Sequence, residues 1–268
     1  MNTIFIAVFS VTTMGIICAA MLCIASKFMY VKVDERVAEL EACLPGANCG
    51  GCGFPGCSGY AVAILSGKAE ANLCSPGGAE ALQKISAILG VEAGNIEKKA
   101  AVIHCRGDCE AQQKKMNYKG IQTCAAAKQL FGGEGACAFG CIGYGDCKIV
   151  CPSNAVCIEN GLARIDPRLC TGCGLCVKAC PNSLISVENA GISVAVLCKN
   201  IEKGAVVRKK CSRGCIACGK CVRSCQSQAI TMADNLAKID YEKCTHCGIC
   251  ASDCVTKSIQ PMGNQTAG

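Results

Sequence analysis

Two stretches decide the fold: Cys141-Ile-Gly-Tyr-Gly-Asp-Cys147-Lys-Ile-Val-Cys151-Pro152 and Cys170-Thr-Gly-Cys173-Gly-Leu-Cys176-Val-Lys-Ala-Cys180-Pro181. In the second, thiols at i, i+3 and i+6 sit on a tight glycine-containing loop and can reach three irons of one cube. The fourth, on the helical turn that follows, points toward a neighbouring cube. The proline after it turns the chain out of that helix. Cysteines in this order wrap iron–sulfur clusters in pairs, each run lending its last thiol to the other cluster.

The pattern comes twice. Cys124, Cys137, Cys141, Cys147, Cys151, Cys170, Cys173, Cys176 and Cys180 each have a cysteine 74 residues later: Cys198, Cys211, Cys215, Cys221, Cys225, Cys244, Cys247, Cys250 and Cys254. The C-terminal half therefore reads as a duplicated two-cluster module. One mismatch stands out. Cys218 completes the Cys215, Cys218, Cys221 triplet, but its counterpart in the first copy is Tyr144. The first copy lacks a ligand at that loop, and Cys137 is the nearest thiol able to replace it. Ala155 to Glu159 and Leu162 to Asp166 flank Asn160-Gly161, a type I′ hairpin signal, and Ala229 to Ala233 and Leu236 to Asp240 flank Asp234-Asn235 at the same place in the second copy. A hairpin and short helices around two cubes is the small α+β module of bacterial two-cluster ferredoxins.

The composition agrees. The 268 residues include 29 Cys and 30 Gly with no Trp, so clusters take the place of an aromatic-rich core and folding is coupled to metal loading. The odd cysteine count and the C-x2-C-x2-C triplets argue against a disulfide framework, and structural zinc prefers separated pairs. The formal charge of +7 counts every thiol as neutral. A four-thiolate cluster carries about −2, so five of them leave the loaded protein mildly acidic, and nucleic acid is not the expected partner.

From the start, residues 1 to 26 carry no charged side chain, and Ile4 to Ser26 would form a helix roughly 34 Å long, enough to cross a bilayer core of about 30 Å. The stretch lacks the basic n-region and short apolar core of a cleaved signal. Lys27, Lys32 and Arg36 follow it, which places everything after residue 27 in the cytoplasm. Cys18 and Cys23 read as small apolar residues of the span. A short amphipathic connector, Val31 to Leu40, leads to Leu44-Pro-Gly-Ala-Asn-Cys49-Gly-Gly-Cys52-Gly-Phe-Pro-Gly-Cys57, with Cys74 beyond. Four thiolates on a glycine-rich loop and its return, with helices expected over Ser58 to Gly67 and Ala79 to Leu89, make a separate one-cluster domain. Cys43, six residues before Cys49, reads as a structural or incidental thiol rather than a ligand. His246 fills a variable position in the Cys244–Cys247 loop, and His104 is a lone histidine. Cys105, Cys109 and Cys124 follow no regular motif; with Cys198 and Cys211 they could hold one more cluster, and buried free thiols are the other reading.

These observations divide the chain into a transmembrane helix (1–27), a single-cluster domain (28–90), a Cys-containing connector (91–136), ferredoxin-like module 1 (137–197), ferredoxin-like module 2 (198–260) and a disordered tail (261–268). No P-loop, dinucleotide fingerprint or nucleophile–base pair appears, so no catalytic residue is assigned and the chain is expected to move electrons.

An uncharged N-terminal span, the Leu44 to Cys57 stretch and then modules containing Cys141-Ile-Gly-Tyr-Gly-Asp-Cys147 resemble the B subunits of Rnf complexes, in the longer form with two ferredoxin modules. The resemblance covers nearly the whole chain, and it implies the following. The complex would couple ferredoxin oxidation and NAD+ reduction to Na+ or H+ translocation, with this chain as its membrane-bound electron-transfer subunit. Its partners would be reduced ferredoxin and the other membrane and NAD-binding subunits. Five [4Fe-4S] clusters are implied, a sixth being possible. Cys49, Cys52, Cys57 and Cys74 would hold the first; Cys137, Cys141, Cys147 and Cys180 the second; Cys151, Cys170, Cys173 and Cys176 the third. Cys215, Cys218, Cys221 and Cys254 would hold the fourth, and Cys225, Cys244, Cys247 and Cys250 the fifth. The sequence departs from the pattern at Gln226 and Val255, where prolines are expected. Two rival readings use the same motifs: a polyferredoxin relay of a membrane hydrogenase or dehydrogenase, and an iron–sulfur sensor, for which no effector domain is visible.

Overall fold

The computed structural model describes residues 2–28, 34–91 and 98–262. Helix α1 (Asn2–Phe28) contains a 24-residue stretch, Ile4–Lys27, with mean hydropathy 2.3, long and apolar enough to cross a membrane. Its large side chains, among them Ile4, Phe9 and Leu22, are exposed. The hydroxyls of Ser10 and Thr13 donate back to the carbonyls of Ala7 and Phe9 at 2.9 and 2.6 Å. These hydroxyls are thus satisfied within the helix, which is compatible with a lipid environment. Cys18 and Cys23 lie exposed on it.

Three helices form the next unit: α2 (Glu35–Cys43), α3 (Gly56–Leu65) and α4 (Gly78–Leu89). Asp34 starts α2 by accepting the Arg36 N–H, satisfying an orphan donor of the first turn. Leu40, Tyr60 and Ile85 fill the centre. Burying Tyr60 is tolerable because its hydroxyl donates to the Glu70 carbonyl at 2.7 Å and accepts from the Leu73 N–H at 3.1 Å. Cys43 packs against the same core.

Two similar α+β modules follow. The first contains β1 (Lys99–Ile103), α5 (Cys124–Gln129), α6 (Asp146–Ile149), β2 (Val156–Glu159), β3 (Leu162–Ile165), α7 (Leu175–Ala179) and β4 (Ile185–Asn189). The second contains β5 (Val194–Val196), α8 (Gly204–Lys210), α9 (Lys220–Ser224), β6 (Ile230–Ala233), β7 (Leu236–Ile239), α10 (Ile249–Ser252) and β8 (Ile259–Pro261). Each has an antiparallel hairpin, β2–β3 or β6–β7, and a second antiparallel pair, β1–β4 or β5–β8. The hairpins turn where the sequence signals them. Asn160 and Gly161 both have positive φ (49° and 72°), as do Asp234 and Asn235 (53° and 59°), the backbone a type I′ turn needs.

Strand pairing redraws the expected boundaries. The connector 91–136 is not a separate segment, because β1 inside it pairs with β4, Ile103 opposite Ile185. Likewise β5, placed by sequence at the end of module 1, pairs with β8 of module 2, Val196 opposite Ile259. Edge strands of this kind complete a sheet by contributing from outside the cysteine motif, where no cysteine spacing marks them. The tail expected to be disordered begins as strand at Pro261; residues 263–268 lie outside the described residues.

Each module core mixes aliphatic side chains with thiols. Ile103, Ile165, Leu184 and Ile185 pack with Cys147 and Cys176 in the first, and Val194, Ile230 and Ile259 with Cys215, Cys221 and Cys250 in the second. The modules are stitched together by His104, whose ring nitrogens meet the Val196 carbonyl and the Ser186 hydroxyl at 2.8 and 2.7 Å, and by Arg106, which donates to the Lys257 carbonyl. The buried Asp108 carboxylate pairs with Arg213. His104 is therefore a structural tie, and burial holds its ring below the ordinary imidazole range.

Candidate iron–sulfur sites

In the first unit, Cys49, Cys52 and Cys57 lie on the loop before and at the start of α3, and Cys74 just before α4. The loop is fixed from behind by Asn48, whose side-chain oxygen accepts the Cys57 N–H at 2.8 Å. Burial pushes the Cys74 thiol up, and the like charges of Cys57, Cys52 and Cys49 add to this. The four sulfurs are neighbours.

In both modules the third thiol of each triplet sits on a very short helix. A left-handed glycine sets each helix off: Gly145, Gly174, Gly219 and Gly248, with φ between 66° and 86°. Glycine adopts that backbone without a Cβ penalty. α6 packs on α7 and α9 on α10, which places two tetrads side by side in each module. Burial raises Cys176 to about 11, and the neighbouring thiols of Cys170, Cys173 and Cys151 add to the shift. Cys250 is raised in the same way with Cys244, Cys247 and Cys225 around it. Cys215, Cys218, Cys221 and Cys254 line one cavity, and burial lifts Cys221 to about 11.

The remaining tetrad of module 1 differs from expectation. The cavity holding Cys141, Cys147 and Cys180 is lined by Cys124, not Cys137. Burial pushes Cys147 up to about 12, and the neighbouring thiols that add to it include Cys141, Cys124 and Cys180. Cys124 reaches this place because the chain between Gly107 and Ala136 makes an excursion absent from the second module. Thr123 caps α5 by accepting the Ala126 N–H, and the Asp146 carboxylate accepts the N–H groups of Cys124 and Ala125 at 2.8 and 2.9 Å. Asp146 lies in the same loop as Tyr144, so the residue that lacks a thiol and the residue that anchors its substitute are two apart. Sequence proximity points to Cys137; the structure places Cys124 in this cavity. Tyr144 instead donates to Glu134 at 2.8 Å.

Cys137 belongs elsewhere. With Cys105, Cys198 and Cys211 it lines a cavity at the seam of the two modules. Of the five residues grouped in sequence as extra candidates, Cys105, Cys198 and Cys211 are thus brought together, Cys124 lines the module 1 cavity instead, and Cys109 is exposed and outside the seam lining. The equal spacing of Cys124 and Cys198 from their partners proves accidental. By strand register Cys198, two residues beyond β5, matches Cys105, two residues beyond β1. His246 is exposed, with φ 58° and Nδ1 3.2 Å from the Ser193 hydroxyl.

Among the described residues no three Cys, His, Asp or Glu side chains converge on one point closely enough for a single metal ion. At three places four thiols surround a cavity instead: Cys124, Cys141, Cys147 and Cys180; Cys215, Cys218, Cys221 and Cys254; and the seam group. That wider spacing fits a four-iron cube, whereas a tetrahedral zinc draws all four sulfurs to ~2.3 Å from one centre. Four buried thiols are also poor anions on their own, and the positive charge of bound iron removes that conflict.

A chain of ferredoxin-type modules lined with cysteine tetrads is an iron–sulfur electron carrier. Family profiles place it further. Residues 44–76 match an Fe-S cluster domain, 163–186 a 4Fe-4S binding domain and 214–258 a 4Fe-4S dicluster domain. The chain is 44% identical over 260 residues to the B subunit of the Na(+)-translocating ferredoxin:NAD(+) oxidoreductase complex of Acetobacterium woodii, covering 97% of this chain and 78% of that protein. It is 41% identical to the B subunit of the proton-translocating ferredoxin:NAD(+) oxidoreductase complex of Clostridium ljungdahlii, covering 99% and 95%. It is 38% identical to the B subunit of the ion-translocating oxidoreductase complex of Methanosarcina acetivorans, covering 92% and 94%. The chain belongs to the family of Rnf complex B subunits and is an iron–sulfur electron-transfer subunit.

Proposed function

We propose that this chain takes electrons from reduced ferredoxin and passes them into an Rnf-type complex that reduces NAD+ and moves Na+ or H+, with α1 in the membrane and the cysteine-bearing units in the cytoplasm. A [4Fe-4S] cluster in a tetrad supplies a reversible one-electron step. Cys49, Cys52, Cys57 and Cys74 are the ligands of the first site, Cys124, Cys141, Cys147 and Cys180 of the second, Cys151, Cys170, Cys173 and Cys176 of the third. Cys215, Cys218, Cys221 and Cys254 serve the fourth, and Cys225, Cys244, Cys247 and Cys250 the fifth.

The observation that carries the reading is how the membrane-proximal unit meets module 1. Gly51, between Cys49 and Cys52, lies so close to the Cys173 carbonyl that a Cβ there would be 2.9 Å from its oxygen. Lys178 donates to the Cys49 carbonyl at 3.2 Å, and Ser75 to the Thr171 carbonyl at 3.2 Å. The first tetrad therefore abuts the third, and the unit that carries it follows α1 directly in sequence. Electrons entering at the far module leave beside the membrane anchor. The opposite end is open: Cys247 of the fifth site is exposed.

The test is anaerobic reduction of the full chain, purified from cells in detergent, by reduced ferredoxin, with iron and acid-labile sulfide measured on the same sample. Visible bleaching by ferredoxin and at least about 20 irons per chain are expected from five four-iron sites. A colourless, zinc-filled chain, or one that ferredoxin does not reduce, would overturn the proposal. Protease access in inverted vesicles but not in intact cells checks the orientation.

A further inference from the structure

The two modules face each other across the cavity lined by Cys105, Cys137, Cys198 and Cys211. None of these residues falls within a segment matched by a family profile. Their arrangement has an internal two-fold relation. Cys105 and Cys198 each follow an edge strand by two residues, and Cys137 and Cys211 each precede the first thiol of a triplet, Cys141 or Cys215, by four. The donors on the sulfurs repeat as well. The Gly107 N–H reaches Cys105 Sγ at 3.4 Å, and the Asn200 N–H reaches Cys198 Sγ at 3.5 Å. The Cys141 N–H reaches Cys105 Sγ at 3.4 Å, and the Cys215 N–H is hydrogen-bonded to Cys198 Sγ. Beyond the symmetry, the side-chain amide of Asn200, only 1% exposed, donates to Cys137 Sγ at 3.2 Å. An added Cβ at Gly107 would lie 3.4 Å from Cys211 Sγ and 3.7 Å from Cys105 Sγ, so those two sulfurs close on the same point of backbone.

We infer that these four thiolates hold one further [4Fe-4S] cluster, shared equally by the two modules, and that it joins them electrically. The inference rests on the reading of the other tetrads as cluster sites. The chemistry matches: four soft ligands around a cavity, with N–H donors aimed at the sulfurs to offset the cluster's negative charge. Position gives it a purpose. Cys141 is a thiol of the second site, and its own N–H touches a ligand of the seam site; Cys215 does the same from the fourth site. The seam cluster thus has one peptide unit between it and a neighbour on either side, and without it the modules would be two separate pairs. An electron arrives as the fourth-site cluster is oxidised and the seam cluster reduced. It leaves as the seam cluster is reoxidised and the second-site cluster reduced. No proton moves and no bond is made.

The experiment compares the full-length protein with Cys211→Ala, a residue outside the other five tetrads, and with Asn200→Leu, which keeps all the thiols. Iron, sulfide and zinc are counted on protein purified anaerobically from cells, and reducible clusters are counted by electron paramagnetic resonance during a potentiometric titration. The expected results are about 24 irons in the parent, about 20 in Cys211→Ala with the remaining signals unchanged, and full iron in Asn200→Leu with one midpoint shifted to lower potential. Cluster potentials respond to hydrogen bonds on their sulfurs, which is why Asn200 reports on the site without emptying it. About 20 irons in both the parent and Cys211→Ala would overturn the inference while leaving the five-site reading intact. One zinc per parent chain, lost in Cys211→Ala, would also overturn it. A parent without iron would instead defeat the broader reading.

Discussion

The substitution Asp146→Ala tests whether Cys124 completes the module 1 tetrad, since it touches no sulfur yet removes what holds Cys124 in place. Its carboxylate accepts two N–H groups at the start of α5, from Cys124 and Ala125, at 2.8 and 2.9 Å. Bonds to a charged acceptor contribute about 1.5 kcal/mol each at the low end, the end suited to a partly exposed group, so the pair stabilises the docked turn by about 3 kcal/mol. At 1.4 kcal/mol per decade, the undocked fraction rises roughly 100-fold. If local opening limits iron loss, chelation from that one site accelerates by a similar factor while the other sites release iron at the parent rate. The assay is stopped-flow release of iron to a ferrous chelator after anaerobic mixing. Asp146→Asn, which keeps one acceptor oxygen, should fall between, and Cys124→Ser should lack the fast-releasing site from the outset. Equal release kinetics in Asp146→Ala and the parent, or full iron in Cys124→Ser together with depletion of this site in Cys137→Ser, would refute the assignment.

Other expectations follow from the same structure. Cys57→Ala should lose one cluster, about four irons, with the module clusters retained, because the first unit has its own core around Leu40, Tyr60 and Ile85; bleaching of every cluster would contradict that independence. Leu184→Ala, at a site only 1% exposed in the module 1 core, should destabilise by about 2–5 kcal/mol, read as a lower denaturant midpoint for cluster bleaching, whereas Leu169→Ala, on the surface, should change it by no more than about 0.5 kcal/mol. Burial acts to raise Asp108, but the Ala111 N–H and the Arg213 guanidinium overcome it and hold the carboxyl below its usual value. A depressed folded value means stability that is present above the unfolded value and lost as pH falls through the folded one. The difference in denaturant midpoint between the parent and Asp108→Asn should therefore be constant at neutral pH and shrink below about pH 4; a difference that grew on acidification would contradict the assigned role of Asp108.

The sequence by itself determined the cofactor class, the duplication and both hairpins. Cluster loops and type I′ turns are local objects: three thiols within seven residues, or two turn residues between alternating strands, carry their own geometry wherever the chain goes. The apolar stretch from Ile4 is legible for the same reason, since length and composition alone let a helix span lipid. What the tertiary structure decided is everything requiring chain segments far apart in sequence to meet. The edge strands β1 and β5 find partners more than 60 residues away, at Ile185–Asn189 and Ile259–Pro261, and so belong to modules other than those their neighbours suggest. Tyr144 announced that a thiol was missing, but only the path of the Gly107 to Ala136 excursion, pinned by Asp146, brings Cys124 beside Cys141, Cys147 and Cys180 and leaves Cys137 at the seam. The seam tetrad takes one thiol each from near residues 105, 137, 198 and 211, with no spacing rule connecting them. A ligand set assembled across a module interface is written in packing, because the contacts that position it have no fixed separation along the chain.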